Sequence, residues 1–307
     1  MEIHEGYIPF MGYKTYYRTV GKCEGNKKPL ILLHGGPGST HNTLEVLDCL
    51  ANDGRMLIYY DQLGCGLSSI EGSHKELWNK ETWVKELDNL REYLHLDEVH
   101  LLGHSWGGML EITYISDTDH KGVKSVVLSS TLPSSSLWAK EQHRLIKFMP
   151  LEDQKAIEEA ERTNTWTSPE YIKANADFMH MFVNNIKYTE ESPECLRRPK
   201  VFGREAYETA WGPNEFCPLG NLKDWEYLDK MKSWDIPTLI TDGGEDESTP
   251  FINMQMHNAV KGSKWVIFQY SKHMSYTQEH EKYVNLVKEF LNQHDLSLIH
   301  ISEPTRP

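Results

Sequence analysis

Short apolar runs recur along the chain, each ending at a small or polar residue. Pro29-Leu30-Ile31-Leu32-Leu33-His34 runs into a glycine cluster, and Arg55-Met56-Leu57-Ile58-Tyr59-Tyr60 runs into Asp61 and Gly64. Val99-His100-Leu101-Leu102 stops at Gly103, and Lys124-Ser125-Val126-Val127-Leu128 stops at a serine pair. Runs of this length and texture predict strands buried on both faces of a parallel sheet. Between them, Trp83, Val84, Leu87, Leu90, Tyr93 and Leu94 recur at helical spacing. Alternating strands and helices predict an α/β architecture, a mostly parallel doubly wound sheet.

After Ser129-Ser130-Thr131 the texture changes. Residues 132–233 are rich in Glu, Lys, Met and aromatics at helical spacing, with several prolines and no buried-strand runs. They predict an inserted helical cap, so that residues 1–131 and 234–295 form the core. Strand texture resumes at Ile236-Pro237-Thr238-Leu239-Ile240 and at Lys264-Trp265-Val266-Ile267-Phe268, and a final helix is expected over 277–293. The last twelve residues, Leu296 to Pro307, resemble a translated sequencing-adapter read-through rather than native protein. They are excluded from the fold reading.

Composition narrows the function. The chain is 25% charged and 39% hydrophobic, as soluble globular proteins are. Lys plus Arg is 32 against 45 Asp plus Glu, a formal net charge of −13. That balance argues against nucleic acid and anionic membrane as partners, since both select basic surfaces. No membrane span or signal peptide is visible, which favours a cytoplasmic location. The five cysteines are odd in number and far apart, so neither a disulfide frame nor a zinc site is suggested. No cofactor or metal is called for, and oligomeric state leaves no mark on the sequence.

Candidate chemistry gathers at strand ends. Gly103-His104-Ser105-Trp106-Gly107 is Gly-x-Ser-x-Gly between a buried strand and a helical run. A sharp strand-to-helix turn exposes a serine oxygen, and glycine tolerates the crowding on either side. Ser105 is therefore the expected nucleophile, and the Trp106 N–H at the helix start an expected oxyanion donor. The loop His34-Gly35-Gly36-Pro37-Gly38 supplies the second donor, taken as Gly36. No Gly-Lys-Ser/Thr follows it, so a phosphate-cradling loop is excluded. His34 reads as a brace of this loop rather than a base. A base and an orienting acid should follow Ser105 in chain order. His273 stands in the loop after the Lys264–Phe268 strand, whereas His257, His280 and His294 fall in helical stretches. Asp242, Glu245, Asp246 and Glu247 crowd the preceding strand end, and spacing alone does not choose among them.

Together, His34-Gly-Gly-Pro-Gly38, Asp61-Gln-Leu-Gly-Cys-Gly-Leu-Ser68 and Gly103-His-Ser-Trp-Gly-Gly108 resemble the proline iminopeptidases. These are serine exopeptidases of the α/β-hydrolase fold, and the likeness is strongest to Lactobacillus-type bacterial members. It extends from about Met1 to Asp295, through Ala210-Trp-Gly-Pro-Asn-Glu-Phe216. The resemblance implies that Asp246, in Gly243-Gly-Glu-Asp246-Glu-Ser-Thr-Pro250, completes the triad. It also implies that Glu215 and Glu247 hold the substrate's free amine. Without it, both would read as solvated surface carboxylates. His273 follows Ser271-Lys272, where relatives often have a glycine, a mild departure.

The implied amine role agrees with elementary electrostatics. A free α-amine, with a pKa of ~7.7–8.0, is mostly cationic at neutral pH. It enters a closed pocket only against paired negative charge. The expected substrates are short peptides with a free N-terminus, cleaved by acyl transfer, and Trp211, Tyr207 and Phe216 are candidates for an apolar wall or for the cap's own aromatic core. An amino-acid amidase or an esterase on the same scaffold is the alternative. Haloalkane dehalogenases and epoxide hydrolases, which carry Asp where Ser105 stands, are disfavoured, as is an inactive binding scaffold.

Overall fold

A computed structural model describes residues 1–295. The Leu296–Pro307 segment read as adapter sequence lies outside the described residues.

The chain begins with a hairpin, strands β1 (Ile3–Phe10) and β2 (Tyr13–Val20), closed by the Phe10–Tyr13 pair. Met11 and Gly12 both take positive φ, 49° and 82°, the backbone of a tight two-residue hairpin turn. β3 (Leu30–Leu33) and β4 (Leu57–Tyr60) follow, with a 3-10 stretch over His41–Asp53 between them. Helix α1 (Lys80–Tyr93) leads to β5 (Val99–His104), α2 (Trp106–Asp117) and β6 (Val123–Ser129). Six helices then intervene: α3 (Ser135–Ile146), α4 (Leu151–Thr163), α5 (Pro169–Phe182), α6 (Glu194–Arg197), α7 (Arg204–Ala210) and α8 (Leu228–Met231). β7 (Thr238–Gly243), α9 (Pro250–Ala259), β8 (Lys264–Phe268), α10 (Ser275–Gln278) and α11 (His280–Gln293) complete the order.

The strands form one eight-stranded sheet in the order β1-β2-β4-β3-β5-β6-β7-β8. β1 and β2 are antiparallel to their neighbours, and the strands from β4 to β8 pair in parallel. The order reverses direction at β3, which lies between β4 and β5 although it precedes both. In an open parallel sheet such a switch point opens a crevice at the carboxyl ends of the strands. β3, β4, β5 and β7 are buried along their whole length, as continuous apolar runs between two helical layers must be.

One expectation needs correction, and one element was not anticipated. The terminal helix predicted over 277–293 is interrupted at Glu279, whose φ of −121° and ψ of 51° separate α10 from α11. The N-terminal hairpin has no counterpart among the predicted strands, because its polar alternation lacks the all-apolar texture of the central ones.

Candidate active site

The turn from β5 into α2 is built around close backbone approach. Ser105 stands at φ 56° and ψ −121°, a conformation rare outside glycine. A Cβ on Gly107 would be driven into the Leu33 carbonyl, and one on Gly103 into the backbone of Gly107. The two glycines let α2 start directly against β3 and hold Ser105 at the tip of the turn. The turn is pinned by Ser105 N–H donating to Ser129 O at 3.0 Å and Thr131 Oγ1 donating to Ser105 O at 2.7 Å.

The glycine loop after β3 lies alongside. The Cβ position at Gly35 comes within 3.2 Å of the Ser105 Cβ, so this loop borders the serine. Gly36 has φ 118° and could not carry a side chain without meeting the Gly38 and Ser39 amides. Trp106 is the first residue of α2, where a helix leaves its N–H groups without intrahelical acceptors. His34 is buried and braces the loop. Its Nδ1 contacts Gly35 O at 2.8 Å, and its Nε2 accepts the Gln62 N–H at 3.0 Å. Burial pushes the His34 pKa down to about 4, so it remains neutral. Gln62 extends the brace: its Nε2 donates to His34 O at 3.2 Å and its Oε1 accepts the Trp106 indole N–H at 2.7 Å.

The loops after β7 and β8 bring Asp246 and His273 together. His273 Nδ1 lies 2.7 Å from Asp246 Oδ1. The Asp246 carboxylate also accepts the Ser248 N–H at 2.8 Å and the Gly243 N–H at 3.2 Å. Both residues are buried. Two of the other three carboxylates at this strand end are engaged elsewhere: Asp242 accepts the Trp265 indole at 2.6 Å, and Glu245 pairs with Lys272 at 2.6 Å. The His273 ring packs on His104, next to Ser105, with centroids 4.7 Å apart. Burial, reinforced by the His273 charge, holds the His104 pKa well below the ordinary histidine value.

Two further carboxylates converge here. Glu247 Oε1 lies 3.6 Å from His273 Nε2, while Glu247 Oε2 is buried with no hydrogen-bond partner among the described residues. Burial pushes the Glu247 pKa well up, and repulsion from Glu215 and Asp246 adds to it. Glu215 Oε1 accepts the Tyr207 hydroxyl at 2.9 Å. Burial raises its pKa too, opposed by that hydrogen bond and by His273. Glu215 belongs to the segment between α7 and α8 and Glu247 to the loop after β7, so the pair is far apart in the chain.

A family description, the alpha/beta hydrolase fold, matches residues 28–279. The proline iminopeptidase of Lactobacillus helveticus (strain DPC 4571) is 55% identical over 296 residues, covering 96% of this chain and 100% of that protein. The chain belongs to the proline iminopeptidase family of α/β hydrolases. Among solved structures, VinJ superposes with a TM-score of 0.86 at 30% identity, over 95% of this chain and 99% of that one. A proline iminopeptidase of Mycobacterium smegmatis does so with a TM-score of 0.83 at 28% identity, over 95% and 99%. The α/β architecture expected from the strand runs is that of the family. No helix among the described residues is long and apolar enough to cross a membrane.

Several residues at this site carried no sequence signal. Helix α3 holds the backbone of both extra carboxylates: Trp138 Nε1 donates to Glu215 O at 2.7 Å, and Gln142 Nε2 donates to Glu247 O at 2.8 Å. The end of α5 is stitched to the core loops, with Glu247 N–H donating to Phe182 O and His273 N–H donating to Val183 O. Of the aromatic candidates, Phe216 is buried against Phe178 at 5.2 Å, inside the helical insert. Trp211 packs edge-on against Trp138 at 6.3 Å.

Proposed function

We propose that the protein is a serine aminopeptidase that releases an unblocked N-terminal residue, preferentially proline, from short peptides. Ser105 is the nucleophile, His273 the base, and Asp246 the carboxylate that orients the imidazole and stabilises its cation. The carbonyl oxygen of the first peptide bond becomes an oxyanion facing the Gly36 and Trp106 N–H groups, each such donor being worth about 3 kcal/mol. His273 then protonates the departing amine, and water attacks the acyl-Ser105 ester to free the amino acid. Residues 132–233 act as a cap over the core of 1–131 and 234–295, and the enzyme works in the cytoplasm.

The observation that carries this reading is the pair of carboxylates beside His273. A buried acceptor without a partner is costly, and Glu247 Oε2 is one. A cationic α-amine seated between Glu215 and Glu247 would satisfy it and relieve the repulsion that raises the Glu247 pKa. Such a clamp beside His273 would hold the substrate by its first residue, which restricts cleavage to the first bond. An acylated N-terminus leaves both carboxylates unmatched and is rejected.

The test is hydrolysis of proline p-nitroanilide against its N-acetylated form, with Ser105→Ala alongside. Cleavage of the free form alone, lost in the variant, is expected. Equal cleavage of both forms would overturn the amine clamp and leave a general acyl hydrolase.

A further inference from the structure

Away from this site, three side chains of the helical insert converge although they are far apart in the chain. His143 on α3, Glu161 on α4 and Cys217, two residues beyond Glu215, offer ligand atoms that all lie within 4.8 Å of one another. Glu161 Oε1 is central, 2.8 Å from His143 Nε2 and 3.1 Å from Cys217 Sγ.

We propose that His143, Glu161 and Cys217 form a binding site for a thiophilic divalent cation of the zinc class. One nitrogen, one carboxylate oxygen and one sulfur are the donors such an ion takes, and three protein ligands leave a fourth position to water. A tetrahedral ion at ordinary zinc bond lengths sets its ligands roughly 3.3–3.8 Å apart, so the two Glu161 contacts, at 2.8 and 3.1 Å, must lengthen by about half an ångström, and the His143–Cys217 edge, bounded by 4.8 Å, must close by at most about 1 Å.

The imidazole is oriented for this role. Its Nδ1 lies 2.6 Å from the Ala139 carbonyl, which can only accept, so Nδ1 carries the hydrogen and Nε2 faces the cluster. Ligating histidines are held in this way, with the far nitrogen donating to a carbonyl or carboxylate. Cys217 is held as firmly: its N–H and that of Phe216 donate to Asn214 Oδ1 at 2.9 and 3.1 Å. The His143 side chain is 45% exposed, which gives an ion an open approach to an otherwise buried thiol.

Binding displaces both protons now directed at Glu161, that of the Cys217 thiol and that shared with His143 Nε2, so sulfur coordinates as thiolate, the imidazole as a neutral ligand, and the two protons pass to solvent. The ion would tie α3 and α4 to the turn that carries Glu215, bracing the cap without touching Ser105 or His273.

The test is titration of the metal-free full chain with zinc by calorimetry, and with cobalt by absorption spectroscopy, comparing wild type, Cys217→Ser and His143→Ala. The expected result is one zinc equivalent bound by wild type and a sulfur-to-cobalt charge-transfer band that Cys217→Ser abolishes. His143→Ala, a change at a half-exposed position that leaves the fold intact, should weaken zinc binding at least tenfold. Binding that survives both substitutions, or no stoichiometric binding by wild type, would overturn the proposal.

Discussion

The indole N–H of Trp138 donates to the backbone carbonyl of Glu215 at 2.7 Å, so a helix of the insert fixes where that carboxylate stands. Trp138 is buried, and replacing it with Phe keeps most of the packing while orphaning the carbonyl. A buried unsatisfied carbonyl costs about 1–3 kcal/mol. Trp138→Phe should raise KM for a free-amine substrate roughly tenfold and change kcat little. A matched fall in kcat would mean that the bond supports the fold rather than the amine clamp.

His273 Nδ1 and Asp246 Oδ1, 2.7 Å apart, set the tautomer that leaves Nε2 to accept a proton. Asp246→Asn preserves the shape and presents a donor or a poor acceptor to Nδ1. kcat should fall about 10⁴-fold with KM nearly unchanged. Steady-state kinetics on proline p-nitroanilide, with circular dichroism to confirm the fold, checks it.

The carboxylate pair predicts a signed pH dependence. Burial raises both pKa values, and Glu215 raises that of Glu247 further. Towards acid, the pair is protonated and holds the amine poorly, so kcat/KM should rise with pH as it ionises. It should fall again as the substrate amine loses its proton near pH ~7.7–8.0. Glu215→Gln should lower kcat/KM roughly 10²-fold, the scale of losing one partner of a buried charge pair. Because it also lifts repulsion from Glu247, the acid limb of the profile should move to lower pH. A limb that stays in place would assign it to His273 instead.

Gly107 allows α2 to begin against β3, since a Cβ there would be driven into the Leu33 carbonyl. Neither partner is a flexible side chain that could swing aside. Gly107→Ala should destabilise the protein by about 3 kcal/mol or more, roughly 6–12 °C in Tm. Thermal unfolding followed by circular dichroism measures this directly, and an unchanged Tm would show that the turn can relax.

Much of the architecture was legible because the information is local. Leu30–Leu33 and Val99–His104 are strands buried on both faces, and such strands need uninterrupted apolar side chains. The Ser105 turn announces itself because close backbone contact requires glycine at 103 and 107. The β1–β2 hairpin escaped because its alternating polar residues resemble loop and edge segments until they pair.

By itself, the sequence determined the strand runs, the serine turn, the helical texture of the insert and a family resemblance resting on three short motifs. Spacing left four neighbouring acids open, the family resemblance pointed to Asp246, and the tertiary structure places Asp246 Oδ1 2.7 Å from His273 Nδ1. Strand-end spacing is compatible with all of them, whereas Asp242 and Glu245 are taken by Trp265 and Lys272. The resemblance had paired Glu215 with Glu247, but only the tertiary structure held both through Trp138 and Gln142 and gathered His143, Glu161 and Cys217. The physical reason is range. Backbone conformation and burial periodicity are set within a few residues, but charge, hydrogen bonding and ligation act through space between segments that only folding makes neighbours.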